Sequence, residues 1–253
     1  MTRSTDEEVI ILTGANEGIG YYLLTALAED HRRIAALDIN GDNVRDLQDD
    51  VVARVQYYEC DVTDTDDVTT VVSEIIGQWG RIDIVVNNAG VARVASFQER
   101  SLSDTRHEFE VNFFGYYRLV QAVLPHMLAQ GGGIIHNMGS GTADTGHPGL
   151  SGYSATKGAI KGLVCSLQLE LRGTDVSCTL MIPPSVNTQM TASLEYPEWM
   201  TIGPEEVGRK LADKIHSTQP VITPDRTTRI GLLLTRWVPS LWKRMTAGVV
   251  SNS

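Results

Sequence analysis

Val9-Ile10-Ile11-Leu12-Thr13-Gly14-Ala15-Asn16-Glu17-Gly18-Ile19-Gly20 is the stretch that decides the fold. Its first four residues form a short apolar run rich in β-branched side chains, the mark of a buried strand, and a glycine-rich turn stops that run before a helix opening at residue 18. Glycine at 14, 18 and 20 lets the chain turn sharply and lets an anionic group approach the backbone. The helix start adds unpaired N–H groups and a positive dipole end. Gly14, Asn16, Glu17, Gly18, Ile19 and Gly20 are therefore a candidate phosphate cradle, although a tight strand-to-helix turn without a ligand would read similarly. The Lys-Ser/Thr of a triphosphate-binding loop is absent.

Outward from this turn, short apolar runs alternate with amphipathic, helix-length segments. Strands are predicted at 34–37, 55–58, 82–86, 134–135 and 176–182, and helices at 18–31, 43–52, 66–79, 104–129, 150–172 and 204–216. Strand-then-helix repetition implies parallel pairing through right-handed crossovers, with helices on both sheet faces. No linker-like composition divides the 253 residues, so the reading is one α/β, doubly wound domain. Residues 1–8 are expected to be a disordered tail. Residues 189–203, a long connection without clear period, are expected to be a substrate lid.

Composition narrows the partners. The 21 basic and 31 acidic residues give a formal charge of -10, which argues against nucleic acid and against broad attraction to anionic membranes. Cys60, Cys165 and Cys178 are odd in number and form no CxxC pair, so neither a disulfide framework nor a zinc site is expected. The N-terminal residues lack a signal-peptide core and no run of 18 apolar residues could span a bilayer, which makes a reducing cytoplasm the default.

Ligands of such sheets sit beyond the carboxyl ends of the strands, and the chemically capable residues cluster there. Asp38 ends the second strand, where a carboxylate can accept hydrogen bonds from both hydroxyls of an adenosine ribose and repel a 2′-phosphate; a helix cap is the plainer reading. No Arg or Lys at 39–40 compensates its charge, so NAD is favoured over NADP. Tyr153 and Lys157, four apart at a predicted helix start, share one face. Moving a hydride to or from an alcohol carbon also requires a proton on its oxygen. A phenol with a pKa of about 10 needs a neighbouring cation to serve near neutral pH. Ser140, just past the 134–135 strand, could donate to the same oxygen or be an ordinary turn residue. Neither Ser140 nor Ser151 sits in a G-x-S-x-G elbow, which removes a serine-hydrolase reading.

Taken in order, TGANEGIG at 13–20, Asp38, Asp61-Val62, NNAG at 87–90, Asn112, Ser140 and Tyr-Ser-Ala-Thr-Lys at 153–157 resemble the short-chain dehydrogenase/reductase family. The resemblance implies a Rossmann-type fold and an NAD-dependent oxidoreductase acting on an alcohol or ketone. It implies that Asp61 bonds the adenine amine with Val62 beside the ring, and that Asn88, Ala89 and Gly90 line the floor under the riboses. It further implies that Asn112 holds a relay water, Ser140 orients substrate, and Tyr153 exchanges the proton. Lys157 would bind the nicotinamide ribose and lower the Tyr153 pKa, while Val186 and Thr188 touch the carboxamide. Asn112 could equally be a polar residue that kinks its helix. The family's usual Pro-Gly is Pro183-Pro184 here, which puts the backbone path before Val186 and Thr188 in doubt.

An NADP-dependent carbonyl reductase, or a non-catalytic nucleotide sensor on the same fold, are the competing readings. Met190, Leu194, Tyr196, Trp199 and Met200 hint at a hydrophobic substrate or merely cover the core, and Arg93 and His147 flank the expected pocket. The resemblance suggests a homotetramer or dimer formed by the helices 104–129 and 150–172. The extension 226–253, leucine-rich and basic, reads as a subunit contact, a pocket cover or an interfacial membrane helix; Pro239 favours packing or oligomer contact.

Overall fold

The apolar runs form seven parallel strands: β1 (Val9–Thr13), β2 (Arg33–Asp38), β3 (Arg54–Glu59), β4 (Ile84–Asn87), β5 (Gly133–Met138), β6 (Val176–Met181) and β7 (Val221–Ile222). A computed structural model describes residues 8–48, 51–191, 194 and 201–237. Every residue of β1 and β4 is buried, as expected of strands with helices on both faces, which read as continuous rather than alternating apolar runs. The spatial order is β3-β2-β1-β4-β5-β6-β7. Strand order reverses between β1, with Leu12 opposite Val86, and β4, and a crevice opens at their carboxyl ends. This is the Rossmann-type α/β fold anticipated from the sequence.

Helices α1 (Gly18–Leu27), α2 (Asp42–Gln48) and α3 (Thr65–Trp79) cross between the first strands. The first ends four residues before its predicted limit. Arg32, itself buried and paired with Glu8 and Asp30, donates to the Leu27 carbonyl and terminates the helix with a cation at its negative end. Asp64 caps α3 by accepting from the N–H groups of Asp66 and Asp67, and Gly80 at φ 75° ends it.

The predicted helix 104–129 is three pieces: α4 (Leu102–Phe109), a π-helical turn (Glu110–Phe114) and α5 (Gly115–Ala129). A Ser101–Asp104 capping box sets the start. The π turn leaves the apolar pattern almost undisturbed, which is why periodicity reads one helix. A short α6 (Thr142–Thr145) precedes α7 (Ser151–Glu170).

After β6, Val186 pairs with Ile202 in an isolated parallel bridge, and a 3-10 turn spans Gln189–Thr191. Helix α8 (Pro204–Ala212) then lies on α1; a Cβ on Gly208 would stand 2.6 Å from the Leu23 nitrogen. Asp225 opens α9 (Arg226–Trp237) by accepting from the Thr228 N–H at 2.8 Å, while Lys210 holds its other oxygen at 2.9 Å. The tail 1–7, residues 192–193 and 195–200 of the expected lid, and 238–253 of the extension lie outside the described residues. No helix among the described residues is long and apolar enough to cross a membrane.

Candidate active site

The crevice floor is built by cross-bonding between the ends of β1 and β4. The Thr13 hydroxyl accepts from the N–H groups of Asn88 (3.0 Å) and Ala89 (3.1 Å), and the Asn88 amide donates to the carbonyls of Thr13 (3.1 Å) and Gly14 (3.0 Å). The glycines divide the work. A Cβ on Gly20 would fall 1.9 Å from the Gly14 oxygen, and one on Gly14 2.7 Å from Ala89 Cα, so these two are fixed by the protein's own packing. Gly18, at φ 57°, meets nothing nearer than the Thr188 methyl at 3.7 Å, so its backbone faces open space at the start of α1. Ile19 packs on the core behind it and Glu17 is exposed ahead of it. The open, N–H-lined concavity at Gly18 fits a phosphate group.

Asp38 sits beside this turn. Its two oxygens accept from the N–H groups of Asn16 (3.0 Å) and Asn40 (3.2 Å), and each keeps a lone pair for a further donor. Asn16 turns its own side chain away from the crevice and caps α2, its Oδ1 accepting from Asn43 N (2.9 Å) and Val44 N (3.3 Å). Its main chain is engaged as well, the N–H with Asp38 and the carbonyl with Asn43 Nδ2 at 2.9 Å. Arg45, seven residues beyond Asp38, lies outside the positions 39–40 that the sequence reading weighs for a compensating cation. Its guanidinium lies 4.4 Å from the Tyr57 ring centre, and Tyr57 donates to the Asp38 carbonyl; Asp42 pairs with Arg45 at 3.5 Å.

Asp61 is exposed and accepts from the Thr63 N–H and hydroxyl, both at 2.8 Å. Val62 packs against the start of α5, where a Cβ on Gly115 would meet it at 2.9 Å. Gly90 lies by Asn112, whose Oδ1 would be 3.3 Å from an added Cβ.

The acid/base group assembles where β5 ends and α7 begins. Tyr153 is half-buried beside Ser140, whose Oγ accepts from Thr142 Oγ1 (3.0 Å) and Thr142 N (3.2 Å). Lys157 is buried, donates to the Met138 carbonyl at 2.8 Å and to Tyr116 Oη at 3.5 Å, and stands 5.5 Å from the Tyr153 ring centre. Asn112 lies in the π turn, fully buried. Its amide donates to the Val91 carbonyl (2.9 Å) and to Thr156 Oγ1 (3.1 Å) and accepts from Val91 N (2.8 Å). Thr156 in turn donates to the Tyr153 carbonyl at 2.7 Å. The kinking reading of Asn112 thus matches its position, and its side chain is committed to protein partners.

The titration expected from the sequence needs correction. Burial pushes the Tyr153 phenol up to about 12, with the Ser140 hydrogen bond opposing and the Glu108 charge adding to the rise. Burial also brings Lys157 down to about 7. Burial is the largest influence on both groups, and Lys157 directs its ammonium at the Met138 carbonyl and the Tyr116 hydroxyl.

Sequence reading missed three contributors. Tyr116, buried on α5, contacts Lys157, and Thr142 orients Ser140. A buried Arg100–Glu108 pair at 2.6 Å underlies the start of α7. Tyr116 meets Lys157 from 41 residues away, so no local spacing marks it, and the Thr142 and Arg100–Glu108 contacts follow no regular helix or strand spacing. Arg93 gives its N–H to Glu108 at 2.7 Å, and His147 is buried with Nδ1 2.6 Å from the Pro148 carbonyl, its imidazole lowered by burial. Past the double proline, the Ile202 N–H bonds the Ser185 carbonyl at 3.0 Å and the Asn187 N–H bonds the Ile202 carbonyl at 3.1 Å. That pairing leaves Val186 buried and brings Thr188 beside Gly18. Leu232 of α9 reaches Gly141, 3.1 Å from an added Cβ, next to Ser140.

Relatives share this framework. The chain is 32% identical over 190 residues to a 3-oxoacyl-acyl-carrier-protein reductase of Thermotoga maritima, covering 74% of this chain and 77% of the relative. It is 35% identical over 188 residues to a D-threitol dehydrogenase of Mycolicibacterium smegmatis, covering 73% and 72%. A short-chain dehydrogenase/reductase from Burkholderia phymatum, solved with NAD, superposes with a TM-score of 0.82 over 95% of this chain and 97% of that one at 21% identity. Other similar structures hold NADP or 5-hydroxy-NADP. The family model described as short chain dehydrogenase matches residues 8–199, and with it the chain belongs to the short-chain dehydrogenase/reductase family of oxidoreductases.

Proposed function

We propose that this protein is an NAD-dependent oxidoreductase that interconverts a secondary alcohol and a ketone, with Tyr153 as acid/base. The observation that carries the reading is Tyr153 beside Ser140 with a buried Lys157 on the same helix face, its ammonium on the Met138 carbonyl where β5 ends. A bound nicotinamide dinucleotide supplies the hydride acceptor or donor.

This chain's residues do the rest. The Gly18 concavity, with the backbone of Gly14, Asn16, Glu17, Ile19 and Gly20, holds phosphate, and Asp38 accepts from ribose hydroxyls. Asp61 and Val62 meet adenine, Asn88, Ala89 and Gly90 form the floor, and Val186 and Thr188 contact the carboxamide. Ser140 donates to the substrate oxygen, Tyr153 takes or gives its proton, and Lys157 binds the second ribose. In this proposal a protonated Lys157 would favour the phenolate against the burial that raises it. Because the Asn112 side chain is committed, its relay role would fall to its main-chain carbonyl. Tyr116, beside Lys157, is a positioning residue of the same group.

The Asp38 carboxylate supports NAD over NADP, because its charge repels a 2′-phosphate. The complete Ser-Tyr-Lys-Asn set supports an enzyme over a nucleotide sensor. Leu232 over Gly141 supports an apolar pocket wall and hence a hydrophobic substrate. The exposed Phe114 at the end of the π turn, Tyr117 and Leu128 on α5 and Leu169 on α7 support a dimer or tetramer through these helices. The three free cysteines support a reducing, cytoplasmic setting. Competing titrations of NAD and NADP, followed by a screen of secondary alcohols, sterols and sugars read by NADH absorbance, test the reading. Tighter binding of NADP overturns the role given to Asp38.

A further inference from the structure

Helix α9 is amphipathic in the wrong sense for a helix that only packs on its own domain. Its body-facing side is Thr228, Leu232 and Thr235, half-buried, and of these only Leu232 is apolar. Ile230, Leu233 and Leu234 are 56%, 49% and 54% exposed. Positions 226, 229, 230, 233 and 234 follow helical i, i+3, i+4, i+7, i+8 spacing, so exposed Arg226 and Arg229 continue this outward apolar stripe at its N-terminal end.

Charge along the chain sharpens the picture. After Asp225 the sequence holds Arg226, Arg229, Arg236, Lys243 and Arg244 and no Asp or Glu, although the whole chain carries a formal -10. An outward apolar stripe with cations beside it complements an anionic lipid surface. A second copy of the chain fits less well. Three aliphatic side chains fall short of the roughly 800 Å² each partner gives to a standard interface. The acidic remainder does not forbid adsorption, because screening over about 8 Å leaves only charges near the surface to act.

We infer that α9 is an interfacial helix that docks the protein on anionic bilayers, with Ile230, Leu233 and Leu234 at the acyl boundary and Arg226 and Arg229 at headgroup phosphates. Because Leu232 rests on Gly141, docking holds the Ser140 end of the crevice near the lipid.

Flotation of the full chain with vesicles tests this. The protein is expected to float with phosphatidylcholine vesicles containing phosphatidylserine at low salt, to be released at high salt, and to stay behind with pure phosphatidylcholine. Two double variants, Ile230→Glu with Leu234→Glu and Arg226→Glu with Arg229→Glu, are each expected to lower the bound fraction about tenfold or more, with unchanged thermal midpoints. Failure to float with phosphatidylserine vesicles, or equal flotation on both lipids, overturns the inference. So does a variant that loses self-association in sedimentation while vesicle binding is unaltered, which would make the stripe a contact between copies.

Discussion

Arg100 and Glu108 form an ion pair of 2.6 Å with side-chain exposures of 3% and 1%, directly against the residue before Tyr153. A Cβ on Gly152 would lie 2.0 Å from Glu108 Oε2. The other Glu108 oxygen accepts from Arg93 N, and Arg100 donates to the carbonyls of Arg93 and Gly149. The pair therefore ties the segment after β4 to the start of α7. Glu108→Ala leaves a guanidinium buried and unpaired, and unfolding titrations should show a loss of about 3–5 kcal/mol.

Glu108 also tunes the phenol. Its charge adds to the burial that raises Tyr153, so neutralising it favours the phenolate, and the freed Arg100 charge acts in the same direction. Glu108→Gln is expected to move the ascending limb of the pH–rate profile for alcohol oxidation to lower pH. A purely structural role would lower the rate at every pH and leave the limb in place.

His136 should govern part of the acid sensitivity. It is fully buried on β5, between Thr179 Oγ1 and the Ile215 carbonyl, both at 2.7 Å, and burial brings it down to about 4. The unfolded chain binds the proton first, so stability is lost as pH falls from about 6.5 to about 4, on the order of 3 kcal/mol in all. Replacement by Gln should flatten that decline in thermal midpoints measured across the same range.

The sheet and its two functional turns were legible because their signals are local. Val9–Leu12 is continuously apolar, Gly14–Gly20 is dense in glycine, and Tyr153 and Lys157 share a helix face. What escaped depends on distance or on small departures from regularity. The π turn at Glu110–Phe114 shifts helical phase without breaking the apolar pattern. Two-residue β7 is too short for periodicity to register. The titration of Tyr153 was misjudged because spacing reveals proximity to Lys157 but neither the burial of both groups nor the direction of the ammonium. Asn16 lies in the glycine turn, and spacing does not reveal that its side chain caps α2.

Cofactor choice should respond to Asp38. Asp38→Asn keeps an acceptor for the Asn16 N–H and removes the charge that repels a 2′-phosphate. NADP affinity is expected to rise about tenfold, equivalent to about 1.4 kcal/mol, with NAD affinity falling. Fluorescence titration of both cofactors measures it, and unchanged preference removes Asp38 from cofactor discrimination.

The most direct measurement is the turnover of Tyr153→Phe beside its affinity for NAD. Loss of the hydroxyl alone should leave NAD binding nearly unchanged and reduce alcohol oxidation by about 10²–10⁴. Turnover equal to that of the parent protein would show that the proton moves through another group.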